Sequence, residues 1–449
     1  MPDIIGVTSG DEARMKRTEA GNRLKVMIVG AGTGGLCLAQ GLNADGIAVE
    51  VFERDYSPTD RLQGYRLSID ANGSHALNSC LPQPLFEKLV QNCAIPSQAV
   101  SILDHRLNTL LAFDLSRGGE DWRQTELPVG RSVLRSILIE GLDQIVHFGK
   151  KFIAFEDAPG GGVTACFEDG SKATGDVLIG ADGASSRLRG QLLPHAQRVE
   201  TGIVAVSGKV ALNEDVRRAT PTPILRGPAM VLGPKGCFLF ASAVDYADSG
   251  SRTGHDEPGA SATAHDLLGH GREPYVMWGF STRQATLALP ANPEALDEED
   301  LKSSVIALMG DWAPELRRLV ETAQASSVIA FSVKTSIPIP PWRTRNVTLL
   351  GDALHNMTPF RGIGANTALR DAVALRRALR AVDRGEQDLI CAVGNYEREM
   401  VDYGFRAVRT SLQNMKRFHA EGTLTRTFTK WFFRGVDRIP PLKAALLGR

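Results

Sequence analysis

Residues 25–55 read KVMIVGAGTGGLCLAQGLNADGIAVEVFERD. Val26, Met27, Ile28 and Val29 form a short continuous apolar run, the pattern of a strand buried on both faces. The run ends at Gly30, Gly32 and Gly35, spaced as G-x-G-x-x-G, with Thr33 and Gly34 filling the loop. A helical stretch through Leu36, Ala39, Gln40 and Leu42 follows, and a second strand, Val49-Glu50-Val51-Phe52, then delivers Glu53. In such a βαβ unit the first glycine permits the tight turn. The second lets the backbone approach a pyrophosphate, and the third lets the helix sit close on the strand. Phosphates are expected at the helix N-terminus, where free N–H groups and the helix dipole favour negative charge.

The terminal carboxylate narrows the choice of nucleotide. Glu53 can accept hydrogen bonds from both hydroxyls of an adenosine ribose and would repel a 2′-phosphate. The tightly held dinucleotide is therefore expected to be FAD or NAD rather than NADP. Arg54, beside it, joins the candidate nucleotide-binding set.

At 449 residues the chain is long enough for two or three domains, at roughly 150 residues each. Fifty-one Lys and Arg balance 51 Asp and Glu, so nothing in the net charge points to nucleic acid or an acidic membrane surface. The cysteines (Cys37, Cys80, Cys93, Cys166, Cys237, Cys391) are scattered, without C-x-x-C or metal-ligand spacing. They read as reduced thiols in a cytoplasmic protein with no metal centre. No apolar run reaches the ~20 residues of a membrane span. Residues 1–22 read as a mobile polar tail. No feature specifies an oligomeric state.

After Asp55 a turn-rich segment carries Arg61, Gly64 and Arg66. Arg66 sits in the alternating run Tyr65 to Ile69, where an arginine must face water or a site, so it is a candidate for cofactor contact or catalysis. Residues 73–89 read as helical and 99–115 as short strands. In Leu127 to Leu142 the positions Val133, Leu134, Ile137, Leu138 and Leu142 share a helical face. Arg131 and Arg135 lie near the positive end of that helix. An anionic partner such as FAD would resolve this, and an acidic side chain could do the same. Residues 152–180 look like a β-meander ending in the strand Val177-Leu178-Ile179 and then Asp182-Gly183.

From 200 to 335 several short alternating runs predict a mostly antiparallel sheet, the natural place for a substrate pocket. The stretch Asp245 to Arg272 within it reads as a long loop. The chain then returns to an apolar strand, Val347 to Leu350, which ends in Gly351-Asp352. Pro359, Gly362 and Gly364 precede another helix, repeating the opening pattern of strand end, glycine loop and helix N-terminus. Beyond 388 the chain reads as helical, with Tyr396, Met400, Tyr403 and Met415 as a packing stripe.

Gly30-x-Gly32-x-x-Gly35 with Glu53, then Asp182-Gly183, then Gly351-Asp352 stand in one order along the chain. In this the sequence resembles the single-component class A FAD monooxygenases, the flavoprotein aromatic hydroxylases with a para-hydroxybenzoate hydroxylase-like fold. The resemblance covers roughly residues 23–400. It implies an α/β chain: a Rossmann-like FAD-binding domain (GR2-type) with an inserted, mostly antiparallel β-sheet substrate domain and C-terminal helices. The FAD-binding parts would be 23–98, 126–199 and 336–388, the substrate parts 99–125 and 200–335, and the helices 389–449.

The resemblance also implies roles. Gly30, Gly32, Gly35 and Glu53 would hold the ADP part of FAD, and Arg131 would contact the cofactor. Asp352 would bond the ribityl chain. Pro359 and backbone groups at Gly362, Gly364, Ala365 and Asn366 would border the flavin pyrimidine edge. Asp182 and Gly183 would shape the region shared with a transient NAD(P)H, and His355 is expected to be structural. The implied reaction uses NAD(P)H and O₂ to hydroxylate or epoxidise a hydrophobic aromatic or polycyclic substrate through a flavin C4a-hydroperoxide. A Baeyer–Villiger oxygenase, a flavin reductase of the same fold, and a non-catalytic FAD-binding partner protein stay open as alternatives. The Trp-x-Trp-x-Ile-Pro pattern of flavin halogenases is absent, which removes the main reason to propose halide chemistry.

Overall fold

The computed structural model describes residues 23–58, 60, 66–115, 126–247, 272–287, 296–422, 431–437 and 439. The expected tail, Arg61, Gly64 and most of the 245–272 loop lie outside these residues.

The apolar run opening the chain forms the middle strand, Lys25–Val29, of a five-stranded parallel sheet. The order across the sheet is Val347–Leu349, Val177–Gly180, Lys25–Val29, Ala48–Phe52, Val146–His147. The Thr33–Ala44 helix lies on one face and the three-stranded sheet that includes Val163–Phe167 and Lys172–Gly175 on the other, so Val26, Met27, Ile28, Leu178 and Leu349 are all buried in one core. The helix Thr33–Ala44 packs on the long helix Gly364–Asp383. Gly34 makes this approach possible: a Cβ there would meet Leu350 Cδ2 at 2.5 Å and Ala368 Cβ at 3.2 Å.

The stretch expected to be helical holds two helices. The 73–89 stretch forms Ala71–Cys80 and Gln83–Gln91, broken at Leu81-Pro82. Leu81 is extended, as the residue before a proline prefers, and Pro82 caps the second helix without an N–H to donate. The meander forms a three-stranded antiparallel sheet, Lys172–Gly175, Val163–Phe167 and Phe152–Asp157. Arg66–Ile69 pairs with Leu127–Gly130 as a small antiparallel ribbon.

The remaining strands form one seven-stranded sheet. Its order is Ile329–Ser336, Arg198–Ala211, Tyr275–Arg283, Phe238–Val244, Ala229–Leu232, Ala99–Asp104, Thr109–Asp114. All its pairings are antiparallel except that of Ala229–Leu232 with Ala99–Asp104. Alternation gives the sheet two unlike faces. One buries Trp278, Phe280, Val206 and Leu239 against the helices Glu298–Leu308 and Pro314–Glu321. The other carries Phe238, Phe240 and Ala205. It packs in part on Phe360, which lies between Val347–Leu349 and the Gly364–Asp383 helix, and on the end of the Leu389–Phe418 helix.

A tight point of the nucleotide-binding unit is Gly30. Its φ is 110°, and a Cβ would lie 2.4 Å from the Ala181 carbonyl oxygen at the end of the neighbouring strand. Gly30→Ala is therefore expected to cost about 1–3 kcal/mol of stability from backbone strain alone. Urea unfolding checks this; an unchanged midpoint would contradict the close approach.

Candidate functional site

The strands ending in Val29, Gly180 and Leu349 are neighbours in the parallel sheet and point the same way. Their exit loops, at Gly30, Asp182-Gly183 and Gly351-Asp352, therefore meet at one edge. A cleft of about 460 Å³ opens at that edge beside the first two loops. Of the sequence-predicted residues, Gly30, Gly32, Thr33, Glu53, Arg54, Arg131, Asp182 and Gly183 line it. Gly34 and Gly35 do not; they serve the packing of the helix on its strand and on the Gly364–Asp383 helix.

The floor of the cleft is the N-terminus of the Thr33–Ala44 helix. Gly32 caps it without a side-chain hydrogen bond, and among the described residues no atom lies within 4 Å of where a Gly32 Cβ would be. The first-turn N–H groups thus face open space, as a bound anion requires. Glu53 is 8% exposed and fixed by two backbone donors, Ala31 N at 2.7 Å and Asp55 N at 3.0 Å. A carboxylate has lone pairs beyond these two, so it can still accept from a ligand hydroxyl.

The two arginines of the Arg131–Ile139 helix separate in role. Arg135 lies 3.4 Å from Asp55 and 3.9 Å from Glu53, so acidic side chains answer its charge. Arg131 is exposed on the cleft wall and makes no ion pair among the described residues. Asp182 Oδ2 accepts from the backbone of Arg187 at 2.9 Å and of Leu188 at 3.4 Å, whereas its buried Oδ1 has no partner among the described residues. Burial holds this carboxyl above its ordinary range. Uncapped amides, an exposed cation and a fixed carboxylate at the end of the second strand together fit the ADP portion of a dinucleotide.

The third loop is built differently. Asp352 is exposed and opens the short helix Asp352–His355. Pro359 lies in a 3₁₀ turn that ends at Gly362, whose φ of 64° is left-handed. The Gly364–Asp383 helix then starts without a side-chain cap, with Gly364 and Ala365 half-buried in its first turn. Asn366 turns inward: its Nδ2 donates to the Ser68 carbonyl at 2.9 Å and its Oδ1 accepts from Asp70 N at 3.1 Å. It ties this helix to the Arg66–Ile69 strand.

Arg66 is buried where the nucleotide-binding unit meets the seven-stranded sheet. Its guanidinium pairs with Glu126 and donates to Ser68 at 3.0 Å, Ser97 at 3.2 Å and Ser242 at 3.3 Å. Burial works against the Glu126 charge, but Arg66 and the serine hydroxyls outweigh it and hold the carboxyl below its ordinary range.

A buried network under the Gly351-Asp352 loop was not found by sequence reasoning. Asp371, fully buried, accepts from Gly351 N at 2.7 Å, from His355 Nε2 at 2.7 Å and from the Tyr403 hydroxyl. Three segments distant in sequence meet on this one carboxylate, and no local pattern marks it. Burial opposes the charge on His355, but Asp371 more than offsets it and raises the imidazole above its usual 6.5. A group raised on folding contributes stability that is complete below the unfolded value and is lost as pH climbs through the folded one. Asp371→Asn is expected to cost about 3–5 kcal/mol near pH 6. The gap from the wild type should narrow as the pH rises. Urea unfolding from pH 6 to 9 checks this; a gap that widens with pH would contradict the assignment.

A sequence-family model described as an FAD binding domain matches residues 316–410. Among curated proteins the chain is 31% identical over 432 residues to the dual O-methyltransferase/FAD-dependent monooxygenase elcB of Phaeosphaeria nodorum, covering 90% of this chain and 45% of that protein. The chain spans about half the length of the dual-function relatives it matches. Among solved structures it is similar to a Photorhabdus luminescens protein described as an FAD-containing monooxygenase. There the identity is 30% and the TM-score 0.77, over 89% of this chain and 100% of that one. Klebsiella pneumoniae HpxO, solved with FAD and uric acid, shares the fold at 24% identity and a TM-score of 0.73, over 94% of this chain and 95% of that one.

Proposed function

The chain belongs to the FAD-dependent monooxygenases, and we propose from that membership that it uses NAD(P)H and O₂ to place one oxygen atom on a hydrophobic aromatic or polycyclic molecule. The observation that carries the reading is the convergence of three loops, at Gly30, Asp182-Gly183 and Gly351-Asp352, at the ends of adjacent parallel strands. Ligands of open α/β sheets bind in the crevice outside those ends. A nicotinamide dehydrogenase would need only the first loop.

Bound FAD would supply the redox chemistry. The chain's own residues would bind and orient it. Glu53 would accept from the ribose hydroxyls, the uncapped helix at Gly32 would hold the pyrophosphate, and Arg131 would offset its charge. Asp352 would hold the ribityl chain. The positive helix start at Gly364 and Ala365, preceded by Pro359 and Gly362, would stabilise negative charge on the flavin. Asn366 holds that helix in place through Ser68 and Asp70. Arg66, at the junction with the substrate sheet, is the candidate for contact with the flavin edge or the substrate. The sheet face toward the nucleotide-binding unit is rich in apolar and aromatic residues, which suits an apolar substrate and excludes water from the reaction.

No helix among the described residues is long and apolar enough to cross a membrane. A cytoplasmic setting is part of the same reading and rests on the six scattered cysteines, which lack C-x-x-C and metal-ligand spacing.

Two substitutions probe the cofactor assignment. Asp352→Ala should leave folded protein with FAD affinity reduced at least tenfold, read by flavin retention on gel filtration; full retention would contradict its role. Glu53→Ala should weaken FAD by a similar factor without moving the bound flavin's absorbance bands, and unchanged affinity would count against the ribose contact. The reaction itself is tested by NADH and NADPH oxidation under ¹⁸O₂ with a panel of aromatics. Stimulated oxidation with one labelled atom in the product supports oxygenation. Oxidation without labelled product indicates a reductase.

A further inference from the structure

The face of the seven-stranded sheet turned toward the nucleotide-binding unit can be read as cross-strand rows. In one row Phe238, Ser281 and Ala205 stand side by side. This row is covered: Phe360 lies 5.7 Å and Phe418 4.8 Å from the Phe238 ring, and His419 Nε2 meets Ser281 Oγ at 2.9 Å. Four residues further along the strands, Ser242, Met277 and Lys209 form another row, and Arg66 reaches down to Ser242. Between them runs Ile102, Met230, Phe240, Gly279 and Ser207.

The middle row is buried at its ends, Ile102 and Ser207, and open at its centre. Met230, Phe240 and Gly279 are only half-buried, although they lie in inner strands whose opposite face is fully packed. Above Gly279 there is room: among the described residues, the nearest atom to where its Cβ would be is Ser207 Cβ at 3.9 Å. Glycine is disfavoured inside a strand unless something approaches closely there. Neither φ nor sheet packing on this face calls for it.

We propose that Gly279 is the specificity-determining floor of the substrate cavity, and that its missing side chain opens a slot for a flat system of fused rings lying across the strands. From Met230 to Ser207 the row crosses three inter-strand spacings, about 14 Å at ~4.8 Å each. That length suits two or three fused rings better than one. Phe240 and Met230 supply an aromatic and a deformable apolar surface for such a system. The covered Phe238 row with the Phe360 turn bounds it on one side, and Arg66 above Ser242 on the other. This inference rests on the oxygenase reading for the cavity's purpose, but its test reads binding.

The test uses the FAD-loaded protein with two probes, a dihydroxyanthraquinone and catechol, titrated by perturbation of the flavin absorbance. The wild type should bind the anthraquinone at least tenfold more tightly than catechol. Gly279→Val should weaken the anthraquinone at least tenfold and catechol less than twofold, with FAD affinity unchanged. Gly279→Ala, for which the structure has room, should fall between. Equal losses for both probes, no loss for the anthraquinone, or a wild type without preference for it would overturn the proposal while leaving the flavin reading intact. A protein that holds no FAD would overturn both.

Discussion

The close approach of the Gly30 turn to the Ala181 carbonyl is the constraint on which the rest of the molecule depends. Two parallel strands can end side by side with their loops in contact only if one of them lacks a Cβ there. That contact places the free amides of the Thr33–Ala44 helix and the Asp182-Gly183 loop on the same cleft. Moving the turn by the radius of a methyl group would separate the anion-binding helix end from the second loop. Glu53, held by Ala31 N one residue past the turn, would move with it.

A second level of organisation is polar and buried. Asp371 gathers Gly351, His355 and Tyr403, so that the third loop is anchored from below by a buried carboxylate. Arg66 with Glu126 joins the nucleotide-binding unit to Ser242 of the large sheet, and Asn366 joins a helix start to a strand end. Such groups are costly to leave unpaired, and so they fix relative positions more sharply than apolar packing does. The strand-end loops and the large sheet are thereby linked through buried polar contacts.

What could be read from the sequence follows from distance along the chain. The βαβ opening has its strand, glycines, helix and carboxylate within 31 residues, and the sheet containing it has the expected α/β form. The inserted antiparallel sheet was legible from short alternating runs. Pairings across long separations were not: Glu126 is 60 residues from Arg66, and Tyr403 is 32 from Asp371. Nor does a glycine announce which neighbour it makes room for. Gly34, read as part of a nucleotide loop, makes room for Leu350 and Ala368, while Gly279 passed unremarked in an ordinary strand pattern. The break at Leu81-Pro82 was readable, since a proline interrupts a helix by known rules.

The most direct test of the account is a titration of the cofactor-free protein with FAD, followed by flavin fluorescence. Saturation at one FAD per chain, with competition by ADP and loss of competition in the Glu53→Ala variant, is the predicted result. A protein that takes up no FAD, or one whose FAD is indifferent to ADP, would contradict the assignment of the strand-end cleft.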